Sequence, residues 1–172
     1  HEDRRWEFGC QATFGQSAEC YWTNYVNDFD QALLFECPAE HVMTGTSSYH
    51  NDYFEDRRWR FYCCRSPCVT KDCHWTSYVN SFDEYFTWTV PSRNILVGAQ
   101  SYHQNHEDWR FYCCRSPCVT KDCHWTSYVN SFDEYFTWTV PSRNILVGAQ
   151  SYHQNHEEDR RWRYKVCVQY RC

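Results

Sequence analysis

The chain has 172 residues, 17 Lys and Arg against 22 Asp and Glu for a formal net charge of −5, and 20% aromatic side chains. That length suits one well-buried domain, the negative balance disfavours holding nucleic acid across a broad face, and scarce aliphatics mean a core built from rings. Thirteen cysteines, several in Cys-Cys and Cys-x3-Cys spacings, exclude an ordinary cytosolic chain and point to a secreted, extracellular protein. No apolar run reaches membrane-spanning length, so membrane insertion is not expected. Nothing at His1 resembles a signal peptide, which a mature chain would already have lost.

In chain order, the first recognisable segment is Asp3-Arg4-Arg5-Trp6-Glu7-Phe8. It recurs as Asp56-Arg57-Arg58-Trp59-Arg60-Phe61, in shortened form as Asp108-Trp109-Arg110-Phe111, and as Asp159-Arg160-Arg161-Trp162-Arg163-Tyr164. Each copy puts Trp and Phe or Tyr on one side of an extended chain and charge on the other, the pattern of a half-buried strand. Residues 59–107 recur unchanged as residues 109–157, a period of 50, which implies a recent tandem duplication or an error of sequence assembly. The first unit is diverged and has a period of 53. The repeats are taken as residues 6–58, 59–108 and 109–161 with a closing strand at 162–172, all within one domain spanning residues 1–172. Units of this size at fixed spacing signal stacked or symmetric architectures.

Within a unit four strands are predicted. In the third they are Trp109 to Cys114, His124 to Phe132, Tyr135 to Val140 and Ile145 to Tyr152, with a turn at Pro141-Ser142-Arg143-Asn144. Gly148 interrupts the fourth strand where a bulge or a close backbone approach would suit. The spacing of Tyr128, Val129, Phe132, Tyr135 and Phe136 also fits a helix face, but the density of Thr, Tyr, Phe and Trp favours strand. The fourth strand and the next Trp strand form a hairpin, complete three times; the Trp6 strand has no such partner before it, so it pairs elsewhere or residues upstream are missing. The expected fold is therefore all-β, a single disulfide-rich domain closed with pseudo-threefold symmetry, β-trefoil-like or similar.

The tryptophans Trp6, Trp59, Trp109 and Trp162 are expected in the core, and the hairpin tips carry the polar and aromatic mixture that holds sugars. A ring packs on the apolar face of a pyranose while amide, carboxylate and guanidinium groups meet its hydroxyls. The candidate carbohydrate-binding residues are Tyr49, His50, Asp56 and Arg57; Tyr102, His103, His106 and Asp108; and Tyr152, His153, His156, Asp159 and Arg160. The bland alternative is an Asp–Arg ion pair closing each hairpin beneath a solvated loop. Alternation puts one arginine of each Arg-Arg pair inward, toward carboxylate, and the other outward, where it can meet an anionic group such as sialate or sulfate. His103, His106 and Asp108 have metal-ligand chemistry without a visible supporting partner, and the run Cys113-Cys114, Cys118, Cys123 admits a zinc reading, but adjacent cysteines suit disulfides better. No metal, cofactor or catalytic motif is expected, and the chain is not read as an enzyme. Cys20, Cys73 and Cys123 occupy equivalent positions, as do Cys64, Cys114 and Cys167, and the two sets are expected to pair between neighbouring strands. An odd total leaves at least one thiol unpaired or bridging to another molecule.

Glu55-Asp56-Arg57-Arg58-Trp59-Arg60-Phe61-Tyr62-Cys63-Cys64-Arg65, with Val26-Asn27-Asp28-Phe29-Asp30 and Phe35-Glu36-Cys37-Pro38 upstream, resembles the dermatopontin family, marked by repeated Asp-Arg-x-Trp-x-Phe/Tyr followed by one or two cysteines. The tandem units look most like the invertebrate haemagglutinin and amebocyte aggregation factors within it. The resemblance implies a hairpin disulfide between Cys37 and Cys63 or its neighbour Cys64, worth roughly 3 to 4 kcal/mol on the chain-entropy model. Val90 and Val140 replace that half-cystine in the later units, and Asp108-Trp109 lacks the two arginines. The resemblance also implies a secreted multivalent lectin of innate immunity that binds cell-surface or microbial glycans and aggregates cells, or alternatively a matrix adhesion and self-assembly protein binding proteins or glycosaminoglycan; a homo-oligomer is a further expectation.

Overall fold

The computed structural model describes residues 19–66, 69, 72–103, 107–117 and 119–171. The Trp6 segment and its pairing lie outside them. Twelve strands follow one another without a helix among the described residues: β1 (Cys20–Trp22), β2 (Leu33–Glu36), β3 (His41–Asn51), β4 (Asp56–Arg65), β5 (Cys73–Trp75), β6 (Phe86–Thr89), β7 (Asn94–His103), β8 (Glu107–Arg115), β9 (Val119–Trp125), β10 (Phe136–Thr139), β11 (Asn144–Gln154) and β12 (Asp159–Arg171). They form three antiparallel sheets in the orders β1-β4-β3-β10, β5-β8-β7-β2 and β9-β12-β11-β6.

Each sheet takes a short strand and a long hairpin from one repeat and a single edge strand from another. β2 of the first repeat lies on β7 of the second, β6 of the second on β11 of the third, and β10 of the third returns to β3 of the first. That last pairing closes the ring and produces the closed all-β pseudo-threefold arrangement expected from the repeats.

The second strand is shorter than the sequence implied. His124 to Phe132 was read as one strand, whereas β9 ends at Trp125 and the chain then bends away. Side chains supplement the backbone bonds there, which run from Thr126 N to Tyr164 O and from Val129 N to Trp162 O, both at 2.8 Å. Thr126 Oγ1 accepts from Tyr164 N at 3.0 Å and Asn130 Oδ1 from Trp162 N at 2.8 Å, while Asn130 Nδ2 donates to Arg160 O at 2.9 Å. Thr23 with Asn27 and Thr76 with Asn80 make the same amide contacts in the other repeats. These buried asparagines satisfy backbone donors that a strand would otherwise have paired.

Trp59, Trp109 and Trp162 meet edge-to-face on the pseudo-threefold axis with ring centroids 5.4, 5.2 and 4.8 Å apart, an arrangement favoured by the aromatic quadrupole. Leu33, Phe86 and Phe136 pack around them, with Phe61, Phe111 and Tyr164. The third repeat has Tyr164 where the others have Phe, and the first has Thr46 where they have Ala99 and Ala149. Thr46 Oγ1 donates to the Tyr164 hydroxyl at 2.8 Å, so the two buried polar substitutions satisfy each other.

Gly148 serves both predicted purposes. The register shifts between Leu146 and Gly148, and a Cβ there would sit 2.5 Å from the Trp88 carbonyl oxygen of the edge strand; Gly98 meets the Phe35 oxygen in the same way. Neither has a positive φ, so close approach of a neighbouring repeat, not backbone conformation, demands glycine.

The two half-cystine sets pair as expected: Cys20–Cys64, Cys73–Cys114 and Cys123–Cys167. Cys37 bonds Cys63, as the resemblance implied. Cys114 and Cys123 are thereby committed, which removes the zinc reading of that run. Cys113 stands where Cys63 stands in the first repeat, but Val90 replaces the Cys37 partner; it is a buried free thiol, pushed by burial up to about 12. The third repeat fills the same place with Val166 and Val140. Cys113→Val is therefore expected to change stability by less than about 1.5 kcal/mol, since it copies packing already present. Denaturation of the variant beside wild type checks this, and a loss of several kcal/mol would show that the two sites pack differently.

Candidate functional site

The outward faces of the long hairpins carry a ladder in which arginine alternates with aromatic rings. In β4, alternation points Trp59 and Phe61 inward and leaves Arg58 and Arg60 half-buried outside. The Arg60 guanidinium lies over Trp22 (5.1 Å to the ring centroid) and Tyr25 (5.7 Å), and Arg58 over Tyr25 (5.0 Å) and Phe29 (6.0 Å). The third repeat repeats this: Arg163 over Trp125 and Tyr128 at 5.5 and 5.4 Å, Arg161 over Tyr128 and Phe132 at 4.7 and 5.9 Å. The second keeps Arg110 over Trp75 and Tyr78 at 5.2 and 5.3 Å. The tryptophans end the short strands, and the other rings come from the bent segment after each, which the Thr and Asn side chains described above hold against the hairpin.

Hydroxyl and amide groups border each ladder. Arg60 donates to Ser47 Oγ and to the Tyr135 hydroxyl, both at 3.2 Å, and Ser47 Oγ lies 3.0 Å from Thr137 Oγ1. Hydrogen bonds with Ser47 and then Thr137, aided by Arg60, hold the exposed Tyr135 phenol below its ordinary value. In the other repeats Gln100 and Gln150 take the place of Ser47 and accept from Arg110 and Arg163 at 2.8 Å. Arg58 and Arg161 also donate to the hydroxyls of Tyr49 and Tyr152 at 3.3 and 3.2 Å. Each face thus offers ring surfaces, guanidinium donors and hydroxyl or amide groups side by side.

The residues expected at the hairpin tips divide between interior and surface. Arg57 and Asp159 form a buried ion pair across repeats, Nε to Oδ1 and Nη2 to Oδ2 both 2.6 Å, and Asp159 Oδ2 also accepts from Asp133 N at 2.8 Å. Asp56 is buried too, accepting from Arg57 N and Asp30 N, and buried Arg160 donates to the carbonyls of Phe82 and Glu84. A ligand outside the protein cannot reach these four side chains, which corrects their assignment to a sugar site; Arg57 and Asp159 do form an ion pair, but it joins two repeats instead of closing one hairpin. His50 and His153 are corrected likewise, their side chains only 2% and 9% exposed against the adjoining repeat. Their Nδ1 atoms lie 3.1 Å from Asp133 Oδ1 and 4.0 Å from Asp83 Oδ2. The reason is ring closure, which presses each tip against a loop far away in sequence. Tyr49 and Tyr152 are half-buried members of the ladders, while Tyr102 and His156 are exposed. Asp108 pairs opposite Tyr102, the place Arg58 and Arg161 hold opposite Tyr49 and Tyr152. It accepts from Phe82 N instead. His106 and the His103 side chain lie outside the described residues.

Sequence reasoning took Trp22, Tyr25, Trp75, Tyr78, Trp125 and Tyr128 as strand residues and did not single out Arg60, Arg110 or Arg163. The signal was present in the aligned Cys-x-Trp-x-x-Tyr segments and in the arginine that stands between each inward Trp and the inward Phe or Tyr after it, counted with strand alternation.

The Dermatopontin family model matches residues 1–108 and again residues 107–172. The chain belongs to the Dermatopontin family. It is 47% identical over 111 residues to the hemagglutinin/amebocyte aggregation factor of Limulus polyphemus, covering 63% of this chain and 64% of that protein. Millepora cytotoxin-1 of Millepora dichotoma is 36% identical over 107 residues, 62% and 48% of the two chains, and the Dermatopontin of Biomphalaria glabrata 40% over 103 residues, 59% and 69%. The match thus spans less than two thirds of the length of the first two relatives. No solved structure gives a significant match to the chain. Family membership agrees with the resemblance carried by the Asp-Arg-x-Trp strands.

Proposed function

We propose that this Dermatopontin-family chain is a secreted multivalent lectin whose three ladder faces hold cell-surface glycans and cross-link cells. The observation that carries the reading is the repetition of one arginine–aromatic face on three hairpins around an axis. Rings supply a tolerant apolar surface for a pyranose, and guanidinium groups laid against them supply donors for hydroxyl or anionic substituents. Three weak sites on one rigid body raise avidity by orders of magnitude where geometry lets them engage together. A relative named for haemagglutination and amebocyte aggregation supports a cell-binding role, and four disulfides among the described residues suit an extracellular setting.

Agglutination of red cells by the purified protein should be inhibited by particular free sugars, those with carboxylate or sulfate groups most strongly. Clumping that persists at every sugar concentration, yet is blocked by matrix protein, would favour adhesion through protein ligands.

A further inference from the structure

One cluster of ligating side chains lies apart from the ladders. His50 and Asp52 stand at the tip of the β3–β4 hairpin, and Asp133 in the loop before β10, the strand that closes the ring. His50 Nδ1 is 3.3 Å from Asp52 Oδ1 and 3.1 Å from Asp133 Oδ1, and one ligand atom from each of the three residues falls within 4.8 Å of the others. We infer that His50, Asp52 and Asp133 form a site for a first-row divalent cation of the Zn2+ type, which joins the first repeat to the third.

Three features carry the inference. First, a zinc–ligand bond of about 2.1 Å requires ligand atoms no more than about 4.2 Å apart, and the exposed Asp52 side chain is free to rotate the small remainder. Second, the imidazole side chain is only 2% exposed and turns its Nδ1 toward both carboxylates. Third, negative charge is in surplus. Arg57 already answers Asp159, which leaves Asp52 and Asp133 with the single imidazole of His50 between them.

The corresponding place in the third repeat lacks this chemistry. There His153 Nδ1 faces the Asn155 amide oxygen at 3.2 Å and its nearest carboxylate, Asp83, at 4.0 Å. One imidazole with two carboxylates, open to water on the Asp52 side, suits Zn2+ or a neighbouring transition ion; Ca2+ prefers a cage made of oxygen alone.

The test is calorimetric titration of EDTA-stripped protein with ZnCl2. Wild type is expected to bind at this site and to melt at a higher temperature when loaded. Asp52→Asn, at an exposed position that leaves the fold intact, and His50→Gln are each expected to weaken binding by about tenfold or more. Asp83→Asn, beside His153, is expected to leave it unchanged. Three results overturn the inference: no Zn2+ binding by wild type, binding undiminished in both Asp52→Asn and His50→Gln, or CaCl2 bound as tightly as ZnCl2.

Discussion

Replacing Asp159 with asparagine is expected to destabilise the folded protein by about 3 to 5 kcal/mol, the range for breaking one partner out of a buried ion pair. The side chains of Arg57 and Asp159 are 3% and 2% exposed, so water cannot solvate the guanidinium once the carboxylate is gone. Asparagine keeps an oxygen for the Asp133 amide but turns an NH2 group toward a cation that can only donate. The pair joins strands of the first and third repeats, and the loss should therefore fall on the closure of the ring. Converting Arg57 to methionine together with Asp159→Asn is expected to recover part of the stability, because the stranded charge is removed as well. Urea denaturation of the oxidised protein measures both variants. A change below about 1 kcal/mol for Asp159→Asn, the range of solvent-exposed pairs, would contradict the burial described here.

The second expectation concerns valence. Arg60→Ala, Arg110→Ala and Arg163→Ala each remove the guanidinium laid over the Trp of one face while leaving the inward Trp and Phe or Tyr of the same strand in place. One such change should leave two faces working and lower agglutination only modestly. All three together should raise the minimum agglutinating concentration by about 100-fold or more, because the avidity gain from linked sites is lost with the sites. Serial dilution on red cells reads this directly. The second face is the natural control: Asp108 occupies its outer rung, so Arg110→Ala is expected to matter least of the three single changes. A triple variant that keeps its melting temperature and agglutinates like wild type would place the binding surface elsewhere.

Much of the fold was legible because it is local. Alternation in Trp59-Arg60-Phe61-Tyr62 gives a strand with one buried face, and equivalent half-cystines in register-matched strands pair where the repeat puts them. What was not legible depends on contacts between residues far apart in sequence. Nothing near His50 announces Asp133, 83 positions later, yet that loop turns the tip into a seam. The same closure buried Asp56, Arg57, Asp159 and Arg160, whose composition alone suited a sugar site equally well. The misread strand at His124 to Phe132 has another cause: Thr126 and Asn130 imitate a strand partner with side-chain oxygens, so β-rich composition there serves an irregular loop. The ladder rings are the outcome of that bend, because a straight strand would carry Trp125 and Tyr128 to opposite faces.

A crystal of the protein soaked with the sugar that best inhibits agglutination tests the central reading most directly. The account predicts density for a sugar ring against Trp22 and Tyr25 or Trp125 and Tyr128, with Arg60 or Arg163 within hydrogen-bonding reach of its substituents. Sugar bound only at the hairpin tips, or on a surface without these arginines, would contradict it.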